Sequence, residues 1–387
     1  MAEVALQEVQ KKEKKRMANI ELLRIVAMMM VVVLHYLGKG KLLPELTGTM
    51  DATGYVAWGL EALSIVAVNT YMLISGYFLV ESKFKCSRVL GLIFQGLFYS
   101  LLVPVCLVFF GVLEPGNITL YQLLYYVFPT QMEHYWFLTA YVVMYLFSPL
   151  LSLAVHHMDK RQHQVVLGGL LVLVSLGKSV LPVRLEMDEF GYDAVWFMCV
   201  YLTAAYIRLY GIPFFKNGKR SFLMYLLGCA GIFGITVGLH ALYLKFELFE
   251  YFLKAAYDYN HIVNLFAAVA LFYAFMFVRI PEGKISRLIC KIAPHTFGVY
   301  LLHEQVEIRY LWQVWLGAGK INNPLALAGS TLLAVLCVFA VGILADMIRT
   351  MIFKVLGKVL GKTGLPGVID KIDAVFDKTE AAGGKTV

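Results

Sequence analysis

The sequence predicts an all-α membrane protein of about ten transmembrane helices, and three observations predict it. Of 387 residues, 60% are hydrophobic and 16% charged, with a mean hydropathy of +0.71. A soluble domain of that balance would leave too much apolar surface in water. Apolar runs of roughly 20 residues recur, the length that crosses a ~30 Å hydrocarbon core at ~1.5 Å per residue. Lys and Arg are dense in every second connection, the mark of the cytoplasmic side of a membrane.

The spans are expected at 17–37, 54–80, 89–113, 135–155, 164–182, 192–212, 221–244, 261–279, 292–313 and 324–348. Alternating their connections puts 25 of the 34 Lys and Arg on one side and 7 on the other, with Arg24 and Arg309 inside spans. Both termini are therefore expected in the cytoplasm, and the net charge of +8 faces anionic lipid, not nucleic acid. A basic leader, 1–16, lacks the short apolar core and cleavage site of a signal peptide, so the first helix is expected to stay. One membrane domain, 17–350, then leads to a tail, 351–387, that alternates lysine with apolar residues and ends in small polar ones. It reads as an amphipathic surface segment with a frayed end. The opposite connections are acidic and aromatic, and Ile118 to Phe128 and Leu248 to Tyr257 suit helices lying along the interface. The six cysteines are scattered singly, with no spacing that suits a metal.

Polar groups inside apolar spans carry the functional signal, because charge at membrane depth is costly and is normally turned toward other helices. The first span, Arg16 to Gly38, holds Glu21, Arg24 and His35. Arg24 and His35 are eleven residues apart, about three turns, so they share a face and lie ~16 Å apart along the axis. Span two contains Asn69, Thr70, Ser75 and Tyr77, followed by Lys85 and Arg88 at the boundary. Span four opens with His134, Tyr135, Trp136 and Phe137. Span nine, read as one helix, carries His303, Glu304, Glu307 and Arg309 in its middle to outer part. Taken singly, a membrane histidine is as readily a hydrogen-bonded packing residue, and Glu304, Glu307 and Arg309 can pair with one another. No Gly-rich phosphate loop, HExxH or GxSxG occurs.

Four stretches, NIELLRIVAMMMVVVLHYL, VNTYMLISGYFL, YWFLTAYVVMYLFSPLL and APHTFGVYLLHE, resemble successive signatures of the acyltransferase 3 family of bacterial membrane O-acyltransferases. The resemblance covers about Asn19 to Arg349, and its ten-helix core agrees with the spans above. The family's Arg, ten residues, His spacing is met by Arg24 and His35. Its basic-x-x-basic element is met by Lys85 and Arg88, although lysine lacks the bidentate fork of an arginine.

The resemblance implies transfer of an acyl group, usually acetyl, from cytoplasmic acetyl-CoA or another acyl-CoA to a sugar hydroxyl outside the bacterial plasma membrane. It implies a catalytic His35, as general base or as an acylated nucleophile, with His303 and Glu304 supporting the intermediate or the acceptor. Arg24, oriented by Glu21, would hold the donor with Arg88, Lys85, Ser75 and Tyr77. Trp136, His134 and Asn69 would meet a glycan or lipid-linked acceptor. No metal cofactor is expected. Ten spans with buried charges also describe a transporter or flippase, which would favour broken helices and internal repeats.

Overall fold

The computed structural model describes residues 16–181, 188–360 and 367–375. The leader before Arg16, residues 182–187 of an acidic connection, and the tail end beyond 375 lie outside the described residues. Every regular element among the described residues is helical.

In order they are α1 (Ala18–Lys39), α2 (Ala52–Ser64), α3 (Ala67–Leu79), α4 (Cys86–Phe109), α5 (Leu120–Val127), α6 (Trp136–His157) and α7 (Lys160–Leu171). There follow α8 (Ala194–Tyr210), α9 (Gly218–Phe246), α10 (Ile262–Met276), α11 (Lys284–Ile292), α12 (Thr296–His303) and α13 (Pro324–Leu360). Among the described residues eight segments are long and apolar enough to cross a membrane, and α8 is a shorter apolar helix. Three of the eight are interrupted: α2 and α3 are joined by a turn at Ile65 and Val66, α7 continues through a π turn (Val172–Leu176) to Val180, and Glu250–Met276 begins with two 3₁₀ turns before α10.

Polar caps mark many helix starts. Asp51, Asp193 and Asn217 accept backbone N–H bonds at the first turns of α2, α8 and α9, and Thr119 with Gln122 and Asp159 with Gln162 form capping boxes on α5 and α7. The expected interfacial helix near 118–128 is α5, whereas 248–257 folds into two 3₁₀ turns, Glu250–Phe252 and Ala255–Tyr257.

Burial orders the bundle. Within α1 61% of the best apolar window is buried, and in Ala52–Leu79 72%, against 22% in Lys160–Val180 and 28% in α9. The first two therefore lie at the centre, while Leu153, Leu223, Leu332 and Leu344 face outward as a lipid-facing surface. Without a hydrophobic drive between helices in lipid, close approach depends on small residues. Gly76 of α3 lies so near Tyr201 and Ala204 of α8 that a Cβ would meet Ala204 at 2.8 Å, and Gly342 of α13 lies equally close to Val299 of α12.

Span nine departs from expectation. It is not one helix over 292–313: α12 stops at His303, residues 304–311 form turns, and a single helical turn follows at Trp312–Trp315. At 100° per residue, His303, Glu304, Gln305, Glu307 and Arg309 would have ringed a continuous helix on every side and pointed some charges into lipid. Turning backbone buried against protein lets all of them face inward. At the other end of the chain, α13 continues past 348 to Leu360, so the expected boundary at 350 cuts through a helix.

Candidate active site

Helix α1 positions both principal side chains. Its inward face, with Ile20, Leu23, Ala27 and Val32 almost fully buried, fixes the rotation of the helix. That rotation turns His35 toward a cavity lined mostly by apolar and aromatic groups, including Met28, Val31, Tyr71, Trp136, Phe137, Tyr259 and Tyr300. Tyr71 ties the cavity to the arginine: its hydroxyl donates to the Arg24 carbonyl oxygen at 3.0 Å and lies 3.0 Å from Thr296 Oγ1.

The His35 ring is held from one side. Nδ1 lies 2.8 Å from His303 Nε2 and 3.2 Å from Glu304 Oε1. His303 Nδ1 is 2.6 Å from the Val299 carbonyl, which can only accept, so Nδ1 of His303 carries its proton. Neutral His303 then presents an unprotonated Nε2, and the hydrogen between the rings belongs to Nδ1 of His35. The assignment leaves Nε2 of His35 with a free lone pair. Lys39, one turn beyond His35, makes an ion pair with Glu304 through both carboxylate oxygens. The ligand atoms of His35, His303 and Glu304 lie within 4.8 Å of one another, close enough to share a proton or a cation. Lys39 already supplies positive charge there.

At the Arg24 end, Arg24 pairs with Glu21 at 3.0 Å, and both are partly buried. Tyr141 bonds Ser75 and feels the charges of Arg24 and Arg88, which brings Ser75 and Arg88 toward the same region. Lys85 and Arg88 are exposed at the start of α4, where the Asp373 carboxylate accepts from the Cys86 amide at 2.6 Å and from Ser87 at 2.9 Å. Tyr77 faces elsewhere: its hydroxyl accepts from Arg208, itself paired with Glu81.

The three expected acceptor residues separate. Trp136 lines the cavity and packs against Tyr192 and Tyr259 at centroid distances of 4.6 and 5.7 Å. His134 braces the broken segment: Nε2 accepts from the Val306 amide at 3.0 Å, Nδ1 lies 3.1 Å from Ser100 Oγ, and the His134 carbonyl accepts from Arg309. Burial, and then the Arg309 charge, push its imidazole down to about 3. Asn69 is fully buried, donates to the Tyr259 carbonyl and accepts from Trp196 Nε1, which commits it to packing.

Sequence reasoning missed Lys39, Tyr71 and Tyr300. Lys39 carried a signal, since it follows His35 by four residues on the same face of α1. Tyr71 and Tyr300 had none among 23 tyrosines.

No characterised protein and no solved structure compared with the chain gives a match. The acyltransferase domain profile of the acyltransferase 3 family matches residues 17–343, from the start of α1 to well within α13. The protein spans a membrane several times, holds an imidazole over a buried cavity, and belongs to the acyltransferase 3 family of membrane acyltransferases.

Proposed function

We propose that the protein moves an acyl group, acetyl in the simplest case, from cytoplasmic acyl-CoA to a hydroxyl of an extracytoplasmic glycan or other envelope acceptor in a bacterial plasma membrane, with His35 as general base. The observation that carries this reading is the single-sided grip on His35. His303 and Glu304 hold Nδ1, while the ring lines a cavity whose wall includes Tyr71, itself bonded to the Arg24 carbonyl. Arg24 and Arg88, with Lys85, take the phosphates of the donor by charge-assisted hydrogen bonds, and its thioester lies in the cavity. His35 Nε2 removes the acceptor hydroxyl proton as the oxygen forms a bond to the acyl carbon. Collapse of the intermediate breaks the carbon–sulfur bond, and His35 returns the proton to the leaving thiolate. Trp136, with Tyr259 and Tyr192, gives the acceptor sugar an aromatic surface on the far side.

The test is label transfer from radiolabelled acetyl-CoA in oriented membrane vesicles supplied with glycan extract. His35→Ala is expected to lose 10²- to 10⁴-fold in transfer rate, the usual weight of a positioned base. Arg24→Ala is expected to weaken acetyl-CoA binding about tenfold, the loss of one exposed charge-assisted contact of ~1.4 kcal/mol. Undiminished transfer by His35→Ala overturns the catalytic assignment. Family membership gives no support to the transport alternative, which predicts no acyl chemistry with any acceptor.

A further inference from the structure

The proposed reaction places a negative charge on the thioester carbonyl oxygen, and the groups expected from sequence to meet it are unsuited to do so. His303 gives its Nδ1 proton to Val299 and uses Nε2 as an acceptor for His35, so it has no hydrogen left to donate. Glu304 is an anion paired with Lys39 and would repel an oxyanion.

Tyr300 has the missing property. It is less than one-tenth exposed, lines the same cavity as His35, and its hydroxyl hydrogen meets no acceptor among the described residues. The backbone group acting on that oxygen, the Phe137 amide, is itself a donor, so the phenolic hydrogen has no acceptor. A buried donor left unused costs about 1–3 kcal/mol, and beside a reactive imidazole that cost has a use. The ring is fixed. It stacks on Phe297 at 5.8 Å and meets Phe137 edge-on at 5.8 Å, and its centroid is 6.5 Å from that of His35. Its place on α12, one turn before His303, puts both residues on the face that meets His35.

We propose that Tyr300 is a catalytic residue: its hydroxyl donates to the carbonyl oxygen of the acyl donor and holds the oxyanion that forms when the acceptor oxygen attacks. The carbonyl electron pair moves onto that oxygen as the new carbon–oxygen bond forms, and returns when the carbon–sulfur bond breaks. Tyr300 keeps its proton throughout, and the acceptor proton travels only through His35. Preorganised donors aimed at developing charge are among the largest single contributions to catalysis.

This inference rests on the acyl-transfer reading above, and the two fail differently. The experiment measures acetyl transfer and melting temperature for Tyr300→Phe, Tyr135→Phe and His35→Ala in the same vesicles. Tyr135→Phe removes another unpartnered buried hydroxyl, from a ring that does not line the cavity. Tyr300→Phe is expected to lower kcat about 10²-fold, as the loss of one oxyanion donor does. Its KM for acetyl-CoA and its melting temperature should stay near the parent's, and Tyr135→Phe should keep most of the activity. Parental kcat in Tyr300→Phe, or an equal loss in Tyr135→Phe, overturns the assignment to Tyr300 while His35 stands. Undiminished transfer by His35→Ala removes the reading beneath it.

Discussion

Two buried carboxylates, each with a histidine and a cation, sit in different parts of the bundle and behave differently. Asp346 of α13 is fully buried and saturated: its oxygens accept from Gln95, Tyr99, His295 and twice from Arg349, at 2.7–3.0 Å. None of these residues lines the cavity. Glu304 meets Lys39 and His35 at the end of a broken helix, and beside it Tyr300, which lines the cavity, keeps a buried hydroxyl hydrogen without an acceptor. Buried charge alone therefore does not mark a reactive site. A satisfied network holds helices together, and unsatisfied donors beside a cavity are what a substrate can complete.

The comparison makes predictions that separate stability from activity. Asp346→Ala leaves Arg349 buried without its partner, a loss of roughly 3–5 kcal/mol. The expected outcome is a sharply lower melting temperature and yield, with near-parental transfer per folded molecule. A variant that melts normally yet transfers nothing would reverse the roles given to the two carboxylates. Glu304→Gln should do the opposite. It keeps shape and hydrogen bonding but removes the charge that holds Lys39 and helps fix the His35 tautomer, so transfer is expected to fall on the order of tenfold, with a smaller change in melting temperature than Asp346→Ala.

His134 sharpens the comparison with pH. Its folded-state imidazole sits at about 3, below the ordinary ~6.5, so between these values the unfolded chain binds a proton that the folded one does not. Its contribution to stability is present above about pH 6.5 and is lost as pH falls toward 3, by at most ~1.4 kcal/mol per pH unit. Melting temperatures over that window should fall less steeply for His134→Gln than for the parent, and parallel curves would show that His134 titrates freely. The smallest expected effect is none: with Lys39 on Glu304, removal of divalent cations by EDTA should leave transfer unchanged. Loss of activity restored by zinc would make His35, His303 and Glu304 a metal centre.

Sequence reached the residues of α1 more fully than those that other helices bring to the cavity. Arg24 and His35 share one continuous helix, where periodicity alone fixes their relative direction, and of the two His35 lines the cavity. Trp136 could be read as a ring near the cavity, but Asn69 and His134 look the same on paper whether they face a ligand or brace a turn. Only their partners, Tyr259, Trp196, Val306 and Ser100, show that they brace. The break in span nine did have a sequence signal, since polar residues at every angle of a helix cannot all avoid lipid.

By itself the sequence determined the membrane class, the approximate spans, the family resemblance and the alignment of Arg24 with His35, because hydrophobic length and helical period are local properties. The tertiary structure decided that α12 ends at His303, that Lys39 meets Glu304, that Asp346 collects five hydrogen bonds and that Tyr300, its hydroxyl hydrogen without an acceptor, lines the cavity. Each of these depends on groups brought together from distant parts of the chain. Whether a buried polar atom is satisfied is a property of its neighbours and not of its own residue type.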